Sequence, residues 1–272
     1  MSSYPLNQTS AMPNYTNLVP AILHHIFIGN IDLNKYPKWI AAREACLKFH
    51  PNYEYKFWND TLAERLIQEK YPWFLETWKN YWYPIQRADS LRYLVLYHYG
   101  GIFLDMDLHC RRSLGPLRRF DFISPAAYPV GISNGFLMAS ARHPFMKVLV
   151  EQLPLFNRNF ILPYATVMFS TGCMYISAQY SLYNDHCHLK LLDYKQHRLS
   201  GQISTPLFHH YGSSSWHSND ASFIKRADDI IKKLFHHKEL VLFIFFIIII
   251  TLILFYRRRT VQKNQKEEIL LF

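Results

Sequence analysis

One stretch of this chain constrains the fold more than any other. It runs from Pro84 through Gly100-Gly101 to Asp105-Met106-Asp107. Pro84 suits the first turn of a helix, where its missing N–H is not needed. Ala88, Leu91 and Val95 recur at helical spacing after it. Gly100-Gly101 then predicts a left-handed helix stop. The apolar run Gly101-Ile102-Phe103-Leu104 predicts a buried strand, and two carboxylates follow one residue apart. On a strand, residues i and i+2 share a face, so Asp105 and Asp107 are expected to point the same way. Two acidic oxygens at the carboxyl end of a strand suit a hard divalent cation, which can in turn hold a diphosphate leaving group.

Elements of the same kind precede this stretch. Ile22 to Ile28 predicts a first strand, closing at Gly29-Asn30. Tyr36 to His50 predicts a helix ended by Pro51, Tyr53 to Trp58 a strand, and Thr61 to Lys70 a second helix. Tyr71 to Tyr83 is rich in aromatic residues and is expected against the cleft or the core. Strand–helix–strand alternation predicts an α/β fold with an open, mostly parallel sheet flanked by helices. Ligands in such sheets bind beyond the carboxyl ends of the strands, where Asp105 and Asp107 are placed.

Charge narrows the partners. The net charge is +10, and residues 225–272 carry ten basic and five acidic side chains, half of that excess. This placement around an apolar segment favours anionic lipid over nucleic acid, and no basic run in the body interleaves with aromatics. Leu240 to Tyr256 is seventeen residues whose only polar side chains are Thr251 and Tyr256. As a helix it would be about 25 Å long, close to a thin bilayer's core. We therefore expect a C-terminal transmembrane helix. The boundaries expected are a loose tail over 1–19, a catalytic domain over 20–222, a basic amphipathic juxtamembrane segment over 223–239, the span at 240–256, and a basic tail over 257–272. Five basic residues flank each end of the span, so charge does not set its orientation. The first thirty residues hold no signal-peptide core, which leaves insertion by the tail or a lost N-terminal segment. Sequons at Asn7, Asn14 and Asn59 permit a lumenal domain.

The cysteines, Cys46, Cys110, Cys173 and Cys187, allow one or two disulfides in an oxidising compartment without specifying the pairs. His186-Cys187-His188 has no matching second pair and predicts an ordinary polar loop or strand rather than a metal site.

Several ordered blocks then combine. They are Ile22-Leu23-His24-His25-Ile26, Asn52 to Trp58, Pro84 to Asp107, Asn134-Gly135-Phe136-Leu137-Met138-Ala139 with Arg142-His143-Pro144-Phe145, Ser170-Thr171-Gly172, and His209 to His217. Together they resemble the family 32 glycosyltransferases with a D-x-D sugar-transferase region. Within that family the likeness is to the fungal enzymes that mannosylate inositol phosphorylceramide, and it runs from Val19 to Asp220. The resemblance implies a GT-A-like fold, GDP-mannose as donor, inositol phosphorylceramide as acceptor, and a divalent metal, with Mn2+ expected and Mg2+ the alternative. It also implies retention of anomeric configuration, a regulatory membrane subunit and residence in the Golgi membrane with the catalytic domain lumenal.

Site roles follow from the same likeness. Asp107 is expected to coordinate the metal. Asp105 is expected to reach ribose or sugar hydroxyls and a metal-bound water. Asp89 and Arg92, three apart on one helix face, are expected at the donor sugar, with a helix-surface ion pair as the alternative. His210 and His217 are candidates for the late metal ligand or a diphosphate contact, and Ser215 and Trp216 for a loop closing over the donor phosphates. Asn134 is a candidate sugar or acceptor contact. Gly135 stands where the resemblance leads one to expect a polar or acidic residue, and Cys173 where it leads one to expect proline. Competing assignments are a transferase acting on glycoprotein mannose chains, an aspartate-nucleophile phosphatase, and a membrane-anchored subunit without turnover. Leu108-His109 after the second aspartate opposes the phosphatase.

Overall fold

The computed structural model describes residues 16–29, 32–127 and 131–212. The predicted span at 240–256, the juxtamembrane segment and the tails, with Ser215, Trp216 and His217, lie outside these residues. Among the described residues no helix is long and apolar enough to cross a membrane.

Strand β1 (Ile22–Ile26) lies between β2 (Glu54–Trp58) and β3 (Gly101–Leu104), parallel to both. Beyond β3 come β6 (Phe136–Ala139), β5 (Phe122–Pro125) and β7 (Leu189–Leu192), giving the order β2-β1-β3-β6-β5-β7. Only β6 runs against its neighbours. The mixed α/β architecture with a mostly parallel sheet is therefore as expected. The reversed strand has a consequence for the site, because the start of β6 meets the end of β3. Leu104 pairs with Phe136, and the Asp105 N–H donates to the Gly135 carbonyl at 2.8 Å.

Helix α1 (Pro37–Phe49) and helix α2 (Asp60–Lys70) flank β2 in sequence, and the Asn59 side chain caps α2 by accepting from the Leu62 N–H. A short helix α3 (Leu75–Lys79) follows. Of the aromatic stretch, Tyr71, Phe74, Trp78 and Tyr81 enter the core, while Trp73 and Trp82 stay exposed.

Helix α4 (Pro84–Tyr99) departs from its predicted single apolar stripe. Gln86, Asp89, Ser90 and Arg92 are buried beside Leu91, Tyr93, Leu94, Val95 and Leu96. It is packed against both the sheet and the helices that follow β6, α5 (Pro144–Phe156) and α6 (Pro163–Ser170). A helix buried almost all round needs partners for its polar side chains. Those partners build the candidate site. Gly100 ends α4 at φ 65°, and a Cβ there would lie 2.6 Å from the Ala141 nitrogen. Glycine is therefore required at that turn.

After β3 the chain does not continue as one strand. It turns at Met106-Asp107, with the Leu108 N–H donating to the Asp105 carbonyl at 3.1 Å, and enters β4 (Leu108–Cys110). This strand belongs to a second sheet in the order β4-β9-β8, with β9 (Phe208–His210) and β8 (Ile203–Ser204). Cys46 on α1 and Cys110 on β4 form a disulfide, which resolves the open pairing, and Cys173 and Cys187 stay free. Beside it the His50 ring contacts the Cys46 carbonyl at 2.7 Å and accepts from the Leu114 N–H at 2.8 Å. The chain entering and leaving the second sheet is thus tied to α1.

Candidate active site

The turn corrects the expectation that Asp105 and Asp107 share one strand face. They are held by different sheets and engage different partners. Asp105 is fastened through its backbone to β6. The Asp107 carbonyl accepts from the Tyr211 N–H at 3.0 Å, just past β9.

Asp105 faces Arg92, whose Nη1 lies 3.3 Å from its Oδ1. Arg92 Nη2 lies 2.7 Å from Asp89 Oδ1, and both side chains of that pair are almost fully buried. The surface-pair reading is therefore wrong, and the predicted shared helix face is right. The same Nη1 donates to the Asn134 carbonyl at 2.6 Å, and the guanidinium lies 4.6 Å from the Phe103 ring centroid. Asp89 accepts twice more, from Asn134 Nδ2 on Oδ1 and from Thr171 Oγ1 on Oδ2, each at 3.1 Å. Asn134 also accepts from the Cys173 thiol at 3.0 Å, so its amide is engaged behind Asp89. Tyr93 closes the network by donating to the Thr171 carbonyl at 2.8 Å. Nearby, Gln86 Nε2 donates to Ser170 Oγ at 2.6 Å.

Burial is the largest influence on Asp89 and raises its pKa, while Arg92, Thr171 and Asn134 oppose it. Burial likewise disfavours charge on Arg92, but Asp105 and Asp89 more than compensate, so the guanidinium stays charged. Burial pushes Asp105 up to about 7; Arg92 opposes this, and the carboxylates of Asp107 and Asp89 add to it. The Asp105 side chain is nevertheless 37% exposed. Water therefore screens that carboxyl, and it is the acid of the network that a ligand can reach.

Asp107 is held differently. Its Oδ2 lies 3.2 Å from His210 Nε2, and both side chains are largely buried. Burial works against a charge on His210, yet its hydrogen bond to Asp107 and the charges of Asp107 and Asp105 raise its pKa overall. Pairing of Leu108 with His210 across β4 and β9 sets this contact. Of the two histidine candidates, the structure brings His210 to the acids; His217 lies outside the described residues. The rings of His186 and His188 have separate partners. His186 contacts the Tyr180 carbonyl, and His188 lies 3.5 Å from Asp121.

Three participants were not given roles from sequence. Thr171 was visible only as part of a resembling block, and its bond to Asp89 spans 82 residues. Cys173 stood out only as a departure from the expected proline. Gly135 matters through its missing side chain, because a Cβ there would lie 2.8 Å from Asp105 Oδ2. A polar or acidic residue at this position would have to displace Asp105.

Residues 37–124 match the family described as glycosyltransferase sugar-binding region containing DXD motif. Mannosyl phosphorylinositol ceramide synthase CSH1 of Saccharomyces cerevisiae is 36% identical over 79% of this chain and 57% of its own length. Inositol phosphoceramide mannosyltransferase 1 of Schizosaccharomyces pombe is 30% identical over 81% of this chain and 69% of its own length. The chain belongs to the inositol phosphoceramide mannosyltransferase family. Members of this family are glycosyltransferases by name, and the chain spans 57% of the length of CSH1. The fold of this family member is also that of the UDP-bound glycosyltransferase domain of the YGT toxin. The TM-score is 0.50 at 9% identity, covering 75% of this chain and 83% of that one. The ligand-free form of that domain gives the same TM-score at 10% identity, covering 65% of this chain and 81% of that one.

Among the described residues no three acid, histidine or cysteine side chains converge as a ready metal cluster. The donor set still suits a hard cation. A carboxylate and an imidazole meet at 3.2 Å, and a second, accessible carboxylate stands two residues away. Ions such as Mg2+ and Mn2+ commonly keep water and substrate phosphate as the remaining ligands.

Proposed function

We propose that this chain transfers mannose from GDP-mannose to inositol phosphorylceramide with retention of configuration, as a membrane-anchored Golgi enzyme with a lumenal catalytic domain. The observation that carries this reading is the chain's 36% identity to a mannosyl phosphorylinositol ceramide synthase, coupled with a donor-type constellation in which every acid has a distinct environment. Asp107 and His210, with Asp105 beside them, would hold a divalent cation, Mn2+ in this reading. When bound, such an ion supplies positive charge against the negative charge growing on the diphosphate.

The chain's own residues supply the rest. Asp89 already accepts from Arg92, Asn134 and Thr171. Its role is therefore to fix Arg92, and through it Asp105, rather than to grip the sugar alone. Arg92 stays charged at every relevant pH and stabilises an oxygen that gains charge. Asp105, the accessible acid, accepts from ribose or sugar hydroxyls. The bond between the mannose anomeric carbon and the β-phosphate oxygen breaks. An inositol hydroxyl oxygen bonds to the same carbon on the face that the phosphate leaves. Its proton passes to the departing phosphate. This reading takes a front-face route without a covalent glycosyl-enzyme intermediate. Ser215 and Trp216 would close over the donor phosphates and exclude water.

The Cys46–Cys110 disulfide supports an oxidising compartment, hence a lumenal domain. The apolar residues 240–256 would anchor it, and a regulatory membrane subunit would join it there. The direct test is incubation of the reconstituted full chain with labelled GDP-mannose and inositol phosphorylceramide. Labelled mannosyl lipid is expected, and loss of product on chelation. Label transferred only to glycoprotein glycans would favour the competing acceptor.

A further inference from the structure

The loop between α5 and α6 carries two features that a water-facing loop avoids. Ile161 is 90% exposed and has φ 70°. A β-branched residue at positive φ is an outlier that persists only where the surroundings impose it. Here they do. Asn159 Oδ1 accepts from the Ile161 N–H at 2.8 Å, and the Phe160 N–H donates to the buried Thr166 Oγ1 at 3.0 Å. The tip is thus held in a shape that presents an isoleucine outward. Leu155, Phe160, Leu162 and Phe169, all within eight residues of it in sequence, are also exposed, and the rings of Phe160 and Phe169 lie 5.5 Å apart. Between Gln152 and Asn184 the only charged side chain is Arg158, in a chain that is 18% charged.

We infer that this tip inserts into the bilayer surface and seats the catalytic cleft over its lipid acceptor. The inference rests on the acceptor proposed above. The tip is exposed and apolar, with Ile161 outermost, which suits insertion into a lipid surface. Arg158 at its base suits lipid phosphates. The apolar residues 240–256 of the same chain already imply confinement to a membrane. Position gives the fourth argument. Helix α6 begins directly after the tip and has eight residues, about 12 Å of helix. At its far end Thr171 donates to Asp89. An inositol joined to ceramide by one phosphate cannot leave the interface, so the cleft must come within about a headgroup's length of it. A rod of this length between tip and site meets that requirement.

The test uses the full chain reconstituted in phosphatidylcholine vesicles containing inositol phosphorylceramide. A nitrobenzoxadiazole label on Ile161→Cys, in a Cys187→Ser background, reports depth through quenching by bromine-labelled lipids. We expect strong quenching. The double variant Phe160→Ser/Ile161→Asn should raise KM for the bilayer acceptor about tenfold. Its kcat, and its rate with the soluble methyl ester of inositol phosphate, should not change. Asparagine tolerates positive φ, so Ile161→Asn should keep or raise the melting temperature, which separates this effect from unfolding. An unquenched label overturns the inference, including the case in which residues 240–256 or another protein cover the tip. So does a double variant with unchanged KM. If the wild type mannosylates neither inositol acceptor, the proposed function fails, and quenching alone decides the membrane contact.

Discussion

Two acids in this site are held by opposite kinds of base. Asp89 is held by an arginine, and Asp107 by a histidine. Arginine has no neutral form in a protein and no lone pair for a metal, whereas neutral histidine is a common ligand. Both Asp89 oxygens are also engaged, with Asn134 and Thr171 adding to the arginine. The arginine-held acid is therefore framework, and the histidine-held acid can exchange its partner for a ligand. Asp105 lies between them, touching Arg92 and adding its charge to that felt by His210.

The first way to break this contrast is to remove Arg92. Arg92→Ala leaves Asp89 buried without its counter-charge, a change that costs about 3–5 kcal/mol. Denaturant unfolding should show that loss together with loss of transfer. Asp107→Ala should behave in the opposite manner. Transfer should fall about 10³-fold, the scale of losing a group that stabilises transition-state charge, while the melting temperature stays near that of the wild type. A large stability loss in Asp107→Ala, or none in Arg92→Ala, would erase the distinction.

A third prediction concerns pH and lies outside the site. Trp58 Nε1 donates to His24 Nδ1 at 3.1 Å, and His24 Nε2 lies 2.9 Å from the Gly100 carbonyl. The neutral form protonated on Nε2 satisfies both contacts. Burial lowers the His24 pKa from 6.5 to about 4 and that of His25 to about 3. The unfolded chain then binds more protons than the folded one below pH 6.5. The stability that these groups contribute is present above 6.5 and is lost as pH falls toward 4, by something on the order of 1–3 kcal/mol per histidine. Urea titrations at pH 7.5 and 4.5 should show the loss, and His24→Gln should reduce it. The smallest effect is expected of Gly135→Ala. The new methyl would press on Asp105 Oδ2 from 2.8 Å, lowering kcat about tenfold by displacing a positioned group with little change in unfolding.

Local periodicity made much of this legible. The strand Gly101–Leu104, the helix from Pro84 to its glycine stop, and the shared face of Asp89 and Arg92 all follow from spacing alone. The turn at Met106-Asp107 does not. It depends on β4 leaving for a strand one hundred residues later, and alternation within Gly101–Asp107 carries no trace of that pairing. The burial of α4 was hidden for a similar reason. Gln86, Asp89 and Arg92 look like a solvated face until Ser170, Thr171 and Asn134 supply their partners from distant positions. Gly135 was noticed only as an oddity, since a missing side chain has meaning only once Asp105 lies beside it.

The central claim is that Asp107, with His210, binds the donor diphosphate through a divalent cation. Calorimetric titration of GDP-mannose into the reconstituted full chain, with Mn2+ and with chelator, tests it most directly. The account predicts tight binding by the wild type only when Mn2+ is present, and weak, Mn2+-indifferent binding by Asp107→Asn. Equal affinity and equal Mn2+ dependence in the wild type and Asp107→Asn would contradict it.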